Sequence, residues 1–245
     1  KYWEDAATPV AGQQFEYAFD DIGNRIRAAS GGNEWGKNLR AQDYEANRLN
    51  QLTGRVVPPF VDVFGTSTNH AIVTVNEKGT YRRDHTLVSE QYWRKELLVD
   101  NGAGPVWLGV TNLAVLQQGG TNADLVTNII GNVLVPPGQE VFRHDADGNL
   151  TTNGLWTLVW DAENRLARVE SAADVPEAAR QRLDFAYDYR GRRIAKTVRS
   201  DWNSGSAAYQ TTNEIRFLYD GWNLIAEVGA GGALLMKAIH VASPP

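Results

Sequence analysis

The residues whose types and spacing could support chemistry are acidic side chains in short polar segments. Asp145, Asp147 and Asn149 alternate in Asp-Ala-Asp-Gly-Asn (145–149), which is similar to the beginning of a calcium-binding loop. Calcium takes about six to eight oxygen ligands, and the helix-flanked loop needs a glutamate at about its twelfth position. That position is Trp156 here. A tight turn explains the same residues, so we predict no metal ion and no cofactor.

Other catalytic and metal-binding groups show no useful spacing. His70, His85, His144 and His240 are scattered, and the chain has no cysteine. No nucleophile elbow, zinc-binding helix motif or phosphate-binding loop is present. Two well-placed carboxylates suffice to hydrolyse a glycosidic bond, so a glycoside-active hydrolase stays open as a second alternative. Turns explain most of the acidic residues, and we predict a protein that is not an enzyme.

Tryptophan faces could hold sugar rings. The candidates are Trp35, Trp93, Trp107, Trp202 and Trp222. Packing in a core explains most of them. Trp202 lies in a segment rich in glycine and serine, and Trp93 is expected at a domain surface, so these two are the candidate sugar contacts. A carbohydrate-binding module is therefore the first alternative function.

Charge argues against two classes of partner. The densest basic cluster is Arg190, Arg192, Arg193, Lys196 and Arg199, which could meet a phosphate or an acidic glycan. Nearby acidic residues balance it, which favours an ordinary solvated face. The net charge is −5, with no basic excess of the kind that nucleic-acid binding requires. No apolar run approaches the roughly 18 residues of a membrane span, so we expect neither nucleic acid nor membrane as a partner.

The acidic residues belong to one recurring phrase. An alternating strand ends in an aromatic residue and Asp, a turn with Gly or Asn follows, and a second strand begins. The copies are 15–26, 142–150, 156–166, 185–194 and 215–225, with a degraded relative at 44–49. Alternate residues of a strand share one face, so the apolar residues form a row. A lone hairpin is marginal in water, so neighbouring hairpins must pair edge to edge and bury these rows together.

The turn chemistry selects the residues that define the repeat. An Asp carboxylate can accept the backbone N–H two residues later, and glycine tolerates the positive φ of a tight turn. His144 occupies an aromatic position. The repeat-defining residues are Phe19, Asp20, Gly23, Asp145, Gly148, Trp160, Asp161, Tyr187, Asp188, Gly191, Tyr219 and Asp220.

These phrases resemble the YD repeats, also called RHS repeats; the closest are 145–150, 160–166, 187–194 and 219–225. The resemblance covers about 13–55 and 139–235, and implies a β-strip that spirals into a hollow shell. It also implies a secreted or cell-surface bacterial protein of a toxin-associated family that has been linked to carbohydrate binding. Members often end in an autoproteolytic aspartyl segment and a toxin. Nothing similar follows residue 236, so that activity is not carried over.

The phrase is absent between about 60 and 138. Short strands are predicted at 61–65, 71–75, 92–99, 106–110, 113–116 and 132–135. Their spacing is typical of a small antiparallel β-sandwich, similar to bacterial Ig-like modules. Proline pairs at 58–59 and 136–137 bound it, as expected for an inserted domain. The one predicted helix is 174–182.

We therefore predict a mostly β protein, with an antiparallel YD-repeat hairpin sheet and an inserted small β-sandwich. The segments are 1–56, 57–138 and 139–245, with the last packing on the first. The predicted function is a non-catalytic scaffold or shell segment of a larger protein. Its partners would be neighbouring repeats, a second copy bound through open sheet edges, or a glycan.

Overall fold

The computed structural model describes residues 1–85, 89–120 and 122–237. Antiparallel strands make up most of it, which confirms the mostly β prediction. The predictions for His240 and for the end of the chain from residue 238 lie outside the described residues. Within the described part, no helix is long and apolar enough to cross a membrane.

Twenty strands and two short 3-10 helices occur in the described ranges. The strands are β1 (Gln14–Phe19), β2 (Arg25–Gly31), β3 (Leu39–Ala46), β4 (Leu52–Val56), β5 (Phe60–Thr68), β6 (Ile72–Val75), β7 (Lys78–Gly79), β8 (Tyr81–Asp84), β9 (Glu90–Leu98), β10 (Val106–Leu116), β11 (Leu125–Val135), β12 (Gln139–His144), β13 (Leu150–Asn153), β14 (Trp156–Trp160), β15 (Leu166–Ser171), β16 (Arg182–Tyr187), β17 (Arg193–Asn203), β18 (Ala208–Asp220), β19 (Asn223–Gly229) and β20 (Leu234–Lys237). The 3-10 helices are Glu177–Ala179 and Ala230–Gly232.

Residue contacts divide the chain into two compact units, Lys1–Glu140 and Val141–Pro245. The repeat copies at 15–26 and 44–49 lie in the first unit, and the other four lie in the second. The predicted packing of one repeat segment on the other stays a prediction.

The first unit contains a repeat sheet and a β-sandwich. Strands β1 to β4 are neighbours in chain order, and the beginning of β12 continues the sheet beside β4. There the buried carboxylate of Glu140 accepts a 2.6 Å hydrogen bond from Nε of Arg55. Desolvation raises the pKa of Glu140, and the Arg55 charge opposes part of that rise.

The segment from β5 to β11 forms two facing sheets. One has the order β11-β10-β6-β7, and the other has the order β5-β9-β8. Val73, Val75 and Val110 of the first sheet pack against Trp93 and Leu97 of the second. Both sheets thus bury their apolar residues in one core, which makes this segment a β-sandwich.

Asn101 fastens the two ends of this segment together. Its buried amide Nδ2 donates to the carbonyl of Pro136 at 3.0 Å and to that of Val57 at 3.4 Å. The backbone carbonyl of Asn101 accepts a 2.8 Å hydrogen bond from the N–H of Gly138. The backbone carbonyl of Gly138 in turn accepts a 2.9 Å hydrogen bond from the N–H of Val57. The segments that enter and leave the sandwich are therefore hydrogen-bonded to each other and to Asn101.

Charged side chains also join the sandwich to the first hairpins. Nε of Arg40 in β3 donates to Glu96 in β9 at 3.0 Å. Nε of Arg94 donates to Asp62 at 2.7 Å, and its Nη2 reaches Glu96 at 3.2 Å. Desolvation raises the pKa of Asp62 despite the neighbouring Arg94. Because these charged groups are partly buried, separating one of them from its partner would leave an uncompensated charge away from water. The ion pairs therefore favour a single arrangement of these side chains.

The second unit is a meander. Strands β12 to β20 pair in chain order, each antiparallel to the next. A one-residue shift in register precedes the turn in the hairpins β12–β13, β14–β15, β16–β17 and β18–β19. Such bulges increase local twist, so the regular alternation of faces is interrupted just before each turn.

The expectation that the aromatic rows share a buried interior is wrong for the first hairpin. Phe15, Tyr17 and Phe19 are 55–59% exposed. In the second unit, Trp160 and Tyr187 are half-buried, and Phe217 is buried. In a single sheet layer, a side chain is covered mainly by the side chains of the strands on either side. β1 is the terminal strand of its sheet and has such a neighbour on one side only, so its aromatic residues stay exposed.

Several local predictions also need correction. The predicted helix 174–182 is only the 3-10 helix Glu177–Ala179, anchored by the fully buried Val175. The predicted strands 106–110 and 113–116 are one strand, β10, and the predicted strand 132–135 is the end of the longer β11. The segment rich in glycine and serine is not a loop at Trp202, which lies in β17 and pairs with Tyr209 of β18.

Candidate structural site: the linked turns

Six turns in the described part of the chain share one geometry. One of them begins at Asn33 and joins β2 to β3; the other five lie in the repeat phrases, and we call these five the linked turns. They begin at Asp20, Asn47, Asp145, Asp161 and Asp188. In each, Oδ1 of this first residue accepts the backbone N–H groups of the second and fourth residues after it, at 2.7–3.1 Å. The third residue after it has a φ between 57° and 91°. Glycine or asparagine occupies that place every time, because these residues tolerate positive φ best.

The turn at Asn47 shows what the sequence analysis missed. Its phrase, 44–49, has no aspartate and is the degraded relative of the repeat. Its side-chain oxygen nevertheless accepts from Leu49 at 2.9 Å and from Gln51 at 3.1 Å, as an aspartate would. Asn50, at φ 61°, takes the place of the glycine. A pattern that allowed Asn in both places would have identified it.

Hydrogen bonds to the turn carboxylates hold their pKa values below the ordinary range. For Asp20 the largest cause is the side-chain amide of Asn24, and for Asp161 it is the backbone N–H of Arg165. For Asp188, desolvation alone would raise the pKa, but the hydrogen bonds from Arg192 and Arg190 together outweigh it. The carboxylates are thus ionised because the charged form fits the turn best.

The turn at Asp220 differs, although the sequence placed it with the others. Asp220 is the last residue of β18 and pairs directly with Asn223, so the loop is only Gly221 and Trp222. Gly221 has a φ of 58°, which two-residue hairpin loops commonly require of their first residue. In the described part of the chain, the Asp220 carboxylate accepts no hydrogen bond, so this aspartate does not build its turn.

The fourth residue after the turn acid connects one hairpin to the next. Nδ2 of Asn149 donates to Oδ1 of Asn164 at 2.8 Å, and Nδ2 of Asn24 donates to Oδ1 of Asn50 at 3.1 Å. Where this residue is arginine, the acceptor is a backbone carbonyl of the next turn. Arg165 reaches Asp188 in this way at 3.4 Å, and Arg192 reaches Gly221.

A second set of hydrogen bonds runs from the aromatic residue before three of the turns, those at Asp161, Asp188 and Asp220, to the preceding hairpin. The indole of Trp160 donates to the carbonyl of Leu150 at 2.8 Å. The hydroxyl of Tyr187 donates to Leu166 at 2.9 Å, and that of Tyr219 to Arg193 at 3.0 Å. Each acceptor lies five residues after the first residue of the previous linked turn.

Stacking strengthens the same contacts. The guanidinium carbon of Arg165 lies 5.0 Å from the ring centre of Tyr187, and that of Arg192 lies 5.1 Å from Tyr219. One arginine therefore pairs with its own turn aspartate, bonds to the next turn and stacks on the next aromatic ring.

Two arginines of the basic cluster have acidic partners. Arg192 pairs with Asp188, and Arg199 pairs with Asp184. Asp184 also accepts from Arg168 at 2.8 Å and from Arg182 at 3.0 Å. Desolvation would raise its pKa, but these arginines hold it below the ordinary value. Asp184 thus joins Arg168, Arg182 and Arg199 in a cross-strand network within β15 to β17.

No group of three histidine, aspartate or glutamate residues in the described ranges is arranged to hold a metal ion. In the candidate calcium segment, Asp145 instead accepts from the N–H groups of Asp147 and Asn149. Nε2 of His85 lies 2.5 Å from a carboxylate oxygen of Glu4, and His70 is exposed at a φ of 67°.

The candidate sugar contacts are not open platforms. The expectation that Trp93 lies at the surface is wrong, because it is 8% exposed and belongs to the sandwich core. Trp202 is half-buried, with Tyr209 edge-on at 4.9 Å and Arg180 stacked at 5.7 Å. The more exposed tryptophans are Trp35 and Trp222, at 66% and 69%.

The sequence is partly similar to characterised proteins. It is 33% identical over 96 residues to the tRNA3(Ser)-specific nuclease WapA of Bacillus spizizenii, which covers 39% of this chain and 3% of that protein. It is 39% identical over 70 residues to the tRNA nuclease WapA of Bacillus subtilis, which covers 28% of this chain and 3% of that protein. The chain thus spans about 3% of the length of these relatives. No family model matches the sequence.

Two solved complexes align with most of the chain. The crystal structure of TcdB2-TccC3-Cdc42 matches with a TM-score of 0.22 at 14% identity, covering 91% of this chain and 10% of that one. That of TcdB2-TccC3 matches with a TM-score of 0.23 at 14% identity, covering 89% and 11%. Scores of this size do not establish a common fold.

Proposed function

We propose that this chain is a non-catalytic wall segment of a larger YD-repeat (RHS) protein. Stacked hairpins form the wall, and the sandwich is displayed from it. The observation that carries the proposal is the repetition of two inter-hairpin hydrogen bonds, turn to turn and aromatic to carbonyl, at constant spacing. Each hairpin depends on hydrogen bonds from the hairpins beside it, as each unit of a repeat protein depends on its neighbours.

The partial similarity to far longer WapA proteins supports a role as one part of a large chain. It also supports a secreted or cell-surface location in a bacterium. In such a chain, neighbouring repeats would pair with β1 and β20, the terminal strands of the sheet among the described residues. The nuclease activity named for those relatives is not assigned to this segment.

Hydrogen exchange with mass spectrometry on the intact chain tests the wall. Interior hairpins supported on both sides exchange slowly, so β14 to β17 should be protected, and the terminal strands β1 and β20 should exchange fastest. Equally fast exchange throughout β13 to β19 would contradict stacking. In parallel, no cleavage of a tRNA pool or of soluble polysaccharides is expected. Turnover that one Asp or Glu substitution abolishes without unfolding the chain would show an enzyme instead.

A carbohydrate-binding function is the second candidate, and exposed turn aromatics favour it. Tyr189 is 85% exposed and Trp222 is 69% exposed, in turns that Arg192 connects. Flat exposed rings of this kind can stack on sugars. Titration with soluble polysaccharides should change tryptophan fluorescence in the natural chain and not in Trp222→Ala. An absence of response over a broad panel would remove this candidate.

A further inference from the structure

Strand β11 is an unusual edge of the sandwich. Within the described ranges it pairs only with β10 and leaves its other edge open. Its eleven residues include no charge and no proline. Val126, Ile129 and Ile130 are 61%, 63% and 72% exposed. Proteins usually protect such edges with charges, prolines or a covering segment, so an apolar open edge indicates a partner strand.

The sandwich core beside β11 is also incompletely packed. Two cavities of about 280 and 320 Å³ open between β11 and the facing edge strand β5, and Asn112 and Ile129 line both of them. Oδ1 of Asn112 is buried there without a hydrogen-bond partner among the described residues. The core of the sandwich is thus open to solvent between the edge strands β11 and β5.

We propose that β11 pairs antiparallel with β11 of a second copy of this chain, with a two-fold axis at Ile130. In this register each residue meets one whose number sums with its own to 260. Asn128 then faces Asn132, Ile129 faces Gly131, and Val126 faces Leu134. The strand is complementary to itself in chemistry and in size.

Charge and space both favour a second copy as the occupant. Identical strands bring identical charges together at a two-fold axis, and β11 has none to repel. A Cβ placed on Gly131 would meet no atom within 4 Å, so the side chain of Ile129 from the other copy has room beside it. The same axis places the open sides of the two sandwich cores next to each other.

Single cysteines test the register, because the natural chain contains none. Directly opposed residues of antiparallel strands have Cα atoms about 4.5–5.5 Å apart, within disulfide reach. Ile130→Cys should therefore cross-link two copies when an oxidant such as diamide is added. Val126→Cys is the matched control, because its own copy would lie eight residues away, about 27 Å along the strand. Equal cross-linking of both variants, or of neither, would overturn the proposal.

Sedimentation velocity over a range of concentrations tests the association itself. Ile130→Lys places two like charges at the axis and should weaken dimerisation at least about tenfold. Ile22→Lys, at an equal natural exposure of 72%, should leave it unchanged. A natural chain that stays monomeric, or a dimer insensitive to Ile130→Lys, would overturn the pairing. This inference does not rest on the wall proposal, which is tested by exchange in β13 to β19 and can fail separately.

Discussion

The side-chain amide of Asn149 donates a 2.8 Å hydrogen bond to Oδ1 of Asn164, so the turn of one hairpin is bonded directly to the turn of the next. Asn24 and Asn50 repeat this relationship at 3.1 Å. Arg165 and Arg192 make the same connection to backbone carbonyls. The position four residues after the turn acid therefore has two roles, closing its own turn and fixing the spacing of the stack.

Replacement of Arg192 by methionine should destabilise the repeat unit by about 1–3 kcal/mol, as expected for the loss of charge-assisted hydrogen bonds at a mostly buried site. Its side chain is 17% exposed and contacts Asp188, Gly221 and the Tyr219 ring. Thermal unfolding followed by circular dichroism measures the effect. Arg190→Met is the matched control, because among the described residues Arg190 contacts only the neighbouring Tyr189 ring and its own turn. Equal losses in both variants would contradict the linking role.

The two kinds of aspartate turn should respond differently to substitution. Asp188→Ala removes the acceptor of two backbone N–H groups and should lower the melting temperature by roughly 4–8 °C. Asp220→Ala should change it by less than about 2 °C, because no described residue donates a hydrogen bond to that carboxylate and surface changes are usually small. Differential scanning calorimetry compares the pair. A similar loss at Asp220 would show that its carboxylate also builds a turn.

Stability should fall in acid because the turn carboxylates have lowered pKa values in the folded chain. Asp20, Asp145, Asp161 and Asp188 share this direction. The pKa of Asp5 is lowered to about 2, first by the hydroxyl and N–H of Thr8 and then by the N–H of Ala7. A lowered folded pKa contributes stability above the unfolded value of about 3.9, which is lost as the pH falls through the folded value.

Urea unfolding followed by tryptophan fluorescence should give similar midpoints at pH 7 and pH 5, and a lower midpoint at pH 3. The variant with Asp145, Asp161 and Asp188 all changed to Asn is the control. It should be less stable at pH 7 and lose less on acidification, because it has fewer groups to protonate. A midpoint that rises below pH 4 would show that raised pKa values, such as those of Asp62 and Glu140, dominate instead.

Local chemistry made much of the repeat predictable. The turns at Asp145, Asp161 and Asp188 lie at the ends of strands because an aspartate and a glycine or asparagine, spaced three apart, favour that backbone. The hydrogen bonds between successive turns could not be predicted from local sequence in this way. Asn149 and Asn164 are fifteen residues apart in sequence, and only strand pairing brings them together.

Burial was the less predictable property. Trp93 and Trp222 are both candidate sugar platforms in the sequence, yet one lies in the core and the other at a turn tip. A strand pattern shows which residues share a face, but it does not show whether a second layer covers that face. The sandwich supplies that second layer for Trp93, and the terminal strand β1 lacks one for Phe15 and Tyr17.

The packing of Trp93 against Gly65 gives a sharp test of the sandwich core. The two residues face each other across β5 and β9, and a Cβ on Gly65 would lie 2.8 Å from the indole Cζ2. A buried indole is rigid and has little room to move, so Gly65→Ala should destabilise the sandwich by about 1–3 kcal/mol, the usual cost of overpacking. Gly79→Ala is the control, because a Cβ there meets nothing within 4 Å. Chemical unfolding followed by tryptophan emission distinguishes the two, and an unaffected Gly65→Ala chain would show that Trp93 is not held against β5.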